Sequence, residues 1–137
     1  MSRLIFASHG KLSVGMLDSV KMIVGDLAND VESISLNPGQ SPNDFYLKLK
    51  AEAEKSDEKI IILCDVLGGS VHTTLSQLRQ FDHIMILSGM NMGLALDLVM
   101  KYKNDLSLDQ VQKLVDHSKE GICVIQGESS EENDEDF

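Results

Sequence analysis

At 137 residues and 42% hydrophobic content, the chain can bury most of its apolar surface in one core and is too short for two comfortable domains. Its formal charge of -10 leaves no basic face with which to displace counterions from a polynucleotide, so nucleic acid is excluded as a partner. No apolar run reaches the roughly 18 to 20 residues of a membrane span, and Leu4-Ile5-Phe6-Ala7 is too short for a signal-peptide core, which predicts a soluble, unsecreted, cytoplasmic protein.

Arg3 to Ser8 reads as a buried strand, and Lys11 to Asp26 as a helix in which Leu12, Met16, Val20, Ile23, Val24 and Leu27 recur at helical spacing. Val31 to Leu36 alternates as a strand does, and Asn37-Pro38-Gly39-Gln40-Ser41-Pro42 has the chemistry of a loop. A helix follows from about Asn43 to Lys55, with Phe45, Leu49 and Ala53 on one face. Lys59 to Asp65 then carries the unbroken run Ile60-Ile61-Ile62-Leu63-Cys64, the pattern of a strand covered on both sides. After Gly68-Gly69-Ser70 a helix is expected to run to about Phe81, and His83 to Leu87 is a further strand closing at Ser88-Gly89. A helix from about Asn91 to Tyr102 precedes another opened by the capping box Ser107-Leu108-Asp109-Gln110, and Ile122 to Ile125 reads as a last short strand. Residues 1–127 are thus expected to form the domain. Residues 128–137 contain six acids and almost nothing apolar, the composition of a disordered tail. Cys64 and Cys123 lie far apart within apolar runs and have no metal-ligand spacing, so both read as small buried hydrophobes in a reducing compartment.

Strands alternating with helices specify an α/β domain, with an open, mainly parallel, doubly wound sheet covered by helices on both faces. Because crossovers are right-handed, covering both faces requires one reversal in the direction of winding. Placing that reversal after the second strand gives the order 2-1-3-4 and opens a crevice between the carboxyl ends of strands one and three. The residues that end those two strands are His9 and Asp65, and Ser88-Gly89 adds a polar stop on the same edge.

A carboxylate that accepts a hydrogen bond from one imidazole N–H fixes the tautomer and leaves a lone pair on the other nitrogen. It also stabilises the positive character that the ring acquires on carrying a transferred group. The paired glycines of Asp65-Val66-Leu67-Gly68-Gly69-Ser70 let the backbone approach a ligand, and a helix start favours an anion there. His9 and Asp65 are therefore the candidate catalytic pair, with Gly68, Gly69 and Ser70 as a phosphoryl-binding turn. His72 lies close enough in sequence to approach the same anion, His83 begins a strand, and His117 sits near a helix C-terminus. Paired acids at metal-like spacing are absent, as are the Walker, dinucleotide, nucleophile-elbow and zincin motifs, so neither a metal nor a cofactor is expected.

From about Arg3 to Gly127 the chain resembles the enzyme IIA domains of the mannose/fructose/sorbose class of the bacterial phosphoenolpyruvate-dependent sugar phosphotransferase system. The resemblance rests on the ordered set Ser8-His9-Gly10, Pro38-Gly39, Asp65-Val66-Leu67-Gly68-Gly69-Ser70 and Ser88-Gly89-Met90-Asn91. It implies that His9 takes a phosphoryl group from the phosphocarrier HPr and passes it to enzyme IIB, which phosphorylates sugar entering through the membrane components IIC and IID. It further implies that Asp65 bonds Nδ1 of His9, that Nε2 is phosphorylated, and that Ser70 and the Gly69 backbone receive the phosphoryl oxygens. Family members are homodimers whose last strand joins the neighbouring subunit's sheet, the part Ile122 to Ile125 would play. The chain departs from the family pattern at Val71, where proline is common, at Thr73, where asparagine is common, and at Gly93, often a proline. Two other classes of function are compatible with a strand-end histidine: a regulatory domain that senses phosphorylation, and a small histidine-dependent α/β enzyme such as a chelatase.

Overall fold

The computed structural model describes residues 2–128. Four strands, β1 (Ser2–His9), β2 (Glu32–Leu36), β3 (Lys59–Cys64) and β4 (Ile84–Leu87), form one sheet in the order β2-β1-β3-β4. All three pairings are parallel, with Ile5 opposite Ile62 in the β1–β3 ladder and Ile62 opposite Ile86 in the β3–β4 ladder. The expected order 2-1-3-4 is the observed one, and the reversal of winding lies between β1 and β3.

The two-residue period of the strands sorts their side chains onto two cores. On one face Leu4, Phe6, Ile61, Leu63 and Leu87 pack against helices α1 (Leu12–Val24), α4 (Met92–Lys101) and α5 (Leu108–Lys119). On the other, Ile5, Ala7, Ile60, Ile62, Cys64 and Ile84 meet α2 (Pro42–Lys55) and α3 (Ser70–Leu75). Each fully buried Leu or Ile contributes roughly 1.5 to 3 kcal/mol relative to exposure, so the sheet is held from both sides and its carboxyl edge is a rigid platform. No helix of the described residues is long and apolar enough to cross a membrane.

Helix boundaries follow local chemistry. Ser41 caps α2 by accepting from the Asn43 N–H, with Pro42 in the first turn, and Asn91 caps α4 by accepting from the Leu94 N–H. The capping box at α5 forms as expected, the Ser107 and Gln110 side chains each bonding the other's backbone N–H. The segment after the paired glycines differs from expectation, because α3 ends at Leu75 and Ser76 to Gln80 tightens into a 3-10 turn. Ser76 donates its hydroxyl back to the carbonyl of His72, an interaction that competes with the regular helical ladder.

Residues 122–125 require a correction: they form no strand. Ile122, Val124 and Ile125 are 76%, 91% and 75% exposed, and Cys123, expected to be buried, is exposed with them. A strand exists only when a neighbour pairs with its N–H and C=O groups, and among the described residues 122–125 have no strand neighbour. Beyond Glu128, the predicted disordered tail lies outside the described residues.

Candidate functional site

The site is built where β1 and β3 end. The β1–β3 ladder closes at the Ala7–Cys64 pair, and two residues later the His9 backbone N–H donates to the Oδ2 of Asp65, at 2.8 Å, in place of a β3 carbonyl. The turn beyond His9 is held from the other side, since Gly10, at φ +55, donates its N–H to the Leu36 carbonyl of β2 at 2.8 Å. Beneath it the buried hydroxyl of Ser8 accepts the Ser13 N–H at 2.7 Å, and the Ser13 hydroxyl donates to the Ile34 carbonyl at 2.9 Å. Strand, turn and helix start are thereby tied together before any functional contact is made.

Asp65 uses both oxygens on this framework. Oδ2 receives the His9 backbone N–H and also the ring Nδ1, at 2.7 Å, while Oδ1 receives the Val66 N–H at 2.9 Å. Burial of the carboxyl pushes its pKa up, but the three N–H donors together outweigh it and hold Asp65 below the usual carboxylate value. The group is therefore ionised at neutral pH and accepts only, which assigns the proton between it and His9 to Nδ1 and leaves the lone pair on Nε2. The Asp65 side chain is 8% exposed and that of His9 47%, so the carboxylate is sheltered and the imidazole faces outward.

Ser70, the first residue of α3, lies with its hydroxyl 2.9 Å from Nε2 of His9, and with Nδ1 the donor to Asp65, the hydroxyl is the donor here. The turn before it depends on both glycines. Gly68 adopts φ +78, and a Cβ on Gly69 would stand 3.3 Å from Cε1 of His9 and 2.8 Å from Cγ1 of Val66. Of the two glycine N–H groups, that of Gly69 donates to the Val66 carbonyl and that of Gly68 to Nδ1 of His72, each at 3.2 Å. Ser70 thus faces Nε2 of His9 directly, whereas the glycine N–H groups are engaged within the turn.

His9, Asp65, Gly69 and Ser70 converge as the topology predicts, and the remaining polar residues divide from them. The Ser88 side lines a different hollow, of about 610 Å³, that runs along the outer edge of β4 beside α5 and is lined by Ile84, Ile86, Leu108 and Val111. Past Gly89, the Met90 N–H donates to the carbonyls of Cys64 and Asp65, so this lip positions the backbone of Asp65. His117 pairs with Asp97 at 3.4 Å, and His83 lies against Phe81. Val71, at the common proline position, is fully buried in the second core. Among the described residues no group of three or more His, Cys, Asp or Glu side chains is arranged to hold a metal ion. The backbone contributions of Val66 and Met90 were invisible in the sequence, because any non-proline residue supplies an N–H.

The family described as "PTS system fructose IIA component" matches residues 3–116. The PTS system sorbose-specific EIIA component of Klebsiella pneumoniae is 32% identical over 127 residues, covering 91% of this chain and 92% of that protein. Phosphotransferase system component EIIA from Streptococcus agalactiae superposes with a TM-score of 0.77 at 29% identity, covering 90% of this chain and 97% of that one. The mannose/sorbose specific IIA subunit from Enterococcus faecalis has the same fold, with a TM-score of 0.75 at 21% identity over 95% of this chain and 98% of its own.

Proposed function

The chain belongs to the family of IIA components of the sugar phosphotransferase system, and from that premise we propose that His9 is its phosphoryl carrier, loaded by phospho-HPr and unloaded by enzyme IIB in the cytoplasm. The observation that carries this reading is the clamping of one imidazole between Asp65 at Nδ1 and Ser70 at Nε2. In the forward step the Nε2 lone pair attacks the phosphorus of the donor phosphohistidine. The new N–P bond forms as the old one breaks, and the electron pair of the broken bond returns to the donor ring.

Three groups then act in concert. Asp65 stabilises the positive character that His9 gains, through the Nδ1–H bond. The Ser70 hydroxyl, which donates to Nε2 before transfer, turns its proton to a phosphoryl oxygen. Gly69 leaves room for the incoming group, because a Cβ there would stand 3.3 Å from Cε1 of His9. Gly68 and Gly69 are expected to line the phosphoryl group: the Gly68 N–H stays with His72, and the Gly69 N–H leaves the Val66 carbonyl to reach a phosphoryl oxygen. Such a transfer asks for positioning and charge stabilisation, which these groups supply. The exposed Leu12, Val66 and Leu67 form an apolar rim next to the nucleophile, suited to a partner that must present its own histidine.

Residues 1–127 act as the phosphotransfer domain in this reading, with 128–137 as an acidic appendage. Enzyme IIB in turn phosphorylates sugar entering through the membrane components IIC and IID, which are thus indirect partners. The homodimer follows the same reading: the exposed apolar residues 122–125 of one copy have the character of a strand that adds to β4 of a second copy, along the hollow lined by Ile84 and Ile86.

Incubation with phosphoenolpyruvate, enzyme I and HPr is the decisive experiment. The wild type is expected to acquire one acid-labile, base-stable phosphate, and His9→Ala none at all while keeping its melting temperature. A wild-type protein that stays unmodified would overturn the carrier role.

A further inference from the structure

Resting on the carrier reading above, we propose that His72 is a positioning residue: its Nδ1 accepts the N–H of Gly68 and thereby holds Gly69 and Ser70 in place against the His9 ring.

Helix α3 begins without a side-chain cap, since its N-cap residue is Gly69 and the hydroxyl of Ser70 is committed to His9. The two glycines before it have the greatest backbone freedom of any part of the site, Gly68 being in the left-handed region at φ +78. Three hydrogen bonds restrain them among the described residues. Gly69 N–H to Val66 C=O, at 3.2 Å, lies inside the turn, and Thr73 N–H to Gly69 C=O, at 2.8 Å, starts the helix. The 3.2 Å bond from Gly68 to His72 ties the turn to a side chain on the body of α3. That side chain has a firm base, because Val71 and Leu75 on either side are fully buried and the His72 carbonyl accepts the Ser76 hydroxyl.

The strut matters because of what it supports. The Gly69 backbone is so close to His9 that an added Cβ would stand 3.3 Å from Cε1, and Ser70 Oγ is 2.9 Å from Nε2. Rotation about Gly68 displaces both, and small displacements at a reacting centre are costly in rate. The bond also imposes a protonation state. A neutral ring protonated at Nε2 offers Nδ1 as acceptor, whereas imidazolium has an N–H at both nitrogens and opposes the Gly68 N–H. Leu67, Gly68, Thr73, Ser76, Gln77 and Arg79 line the hollow beside His72, and none is a carboxylate. Arg79 is the charged group there; α2, packed on α3, brings Tyr46, whose hydroxyl accepts from Gln80, and β1 brings His9. A protonated His72 therefore loses the Gly68 bond with no anionic partner in exchange.

Two variants separate this role from simple packing. His72→Asn keeps an acceptor oxygen near the Nδ1 position at every pH, and His72→Phe keeps a ring without an acceptor. In the unphosphorylated full chain, the Gly68 amide is expected to exchange with solvent about two- to tenfold faster in His72→Phe than in wild type at equal melting temperature, with His72→Asn near wild type. Phosphoryl acceptance by His9 should slow by a similar factor in His72→Phe and recover in His72→Asn. Unchanged Gly68 exchange in His72→Phe, or phosphoryl acceptance in His72→Phe as fast as in wild type, overturns the proposal. A wild type that accepts no phosphate at all counts against the carrier reading instead, and the exchange comparison then decides the strut by itself.

Discussion

β1 carries a cationic or basic side chain near each of its ends, and the two are treated differently. At the amino end, Arg3 donates to Glu32 of β2 at 2.7 and 2.9 Å and to Glu52 of α2 at 3.0 Å. Hydrogen bonding to Glu32, opposed by burial and reinforced by Glu52, raises the guanidinium pKa further above a value that already keeps it charged. All three of its nitrogens are occupied. At the carboxyl end His9 meets a single carboxylate through one nitrogen and leaves the other directed to an exposed hydroxyl. The first arrangement ties three elements together; the second fixes one ring and leaves its other nitrogen with only the hydrogen bond from an exposed hydroxyl. Ion pairing by itself does not mark a functional site; the difference between the ends lies in what the second nitrogen faces.

Breaking the carboxyl end at its orienting group should have the largest effect after removal of His9 itself. Asp65→Asn replaces a charge-assisted bond to the ring, and the loss of roughly 1.5 to 3 kcal/mol predicts phosphoryl transfer slower by about 10- to 100-fold. Asparagine has one oxygen, which can accept from Val66 or from the two His9 N–H groups but not from both sets, so urea unfolding should show about 1 to 3 kcal/mol less stability. Gly69→Ala comes next. Its Cβ would meet Val66 Cγ1 at 2.8 Å and His9 Cε1 at 3.3 Å; Val66 is exposed and can turn away, so the strain falls on the ring. Transfer should drop by about tenfold with a melting temperature within a few degrees of wild type, as a near-attack geometry tolerates little displacement.

A smaller effect sharpens the comparison through pH. The Asp65 carboxyl is held below its ordinary 3.8, so it contributes stability above that value and loses it as pH falls through the lower folded value. The stability gap between wild type and Asp65→Asn should therefore persist at pH 5 and close below about pH 4, measured by chemical denaturation across that range. The least effect is expected at the other end of β1. Arg3→Gln gives up two partly exposed ion pairs, each worth about 0.2 to 1 kcal/mol, so its unfolding midpoint should fall slightly and its phosphoryl-transfer rate should match wild type. A rate defect in Arg3→Gln equal to that of Asp65→Asn would dissolve the distinction between the two ends.

Much of this was legible in the residues because buried parallel strands announce themselves. Ile60-Ile61-Ile62-Leu63-Cys64 is apolar on both faces, and the strand alternation sends Leu4 and Phe6 to one core and Ile5 and Ala7 to the other. Handedness of the crossovers then brought His9 beside Asp65 across 56 positions. Elsewhere local pattern misled. Residues 122–125 are as apolar as a strand and Cys123 resembles a core residue, yet strand formation needs a ladder partner that periodicity does not reveal. Ser88-Gly89 shares the carboxyl edge with His9, but Ser88 lies at the β4 groove while the neighbouring Met90 N–H serves Asp65.

Sequence alone determined the four strands of the sheet, their parallel order and the two residues that close the crevice, because burial on both faces and right-handed crossover are properties of local pattern and chain chirality. Only the tertiary structure decided how the polar atoms there are shared out. It allots both oxygens of Asp65 among three N–H groups, engages the glycine N–H groups within their own turn, and leaves Ser70 to face Nε2. Hydrogen bonds select on distance and direction within a few tenths of an ångström, and such distances arise only when separate elements have been packed against one another.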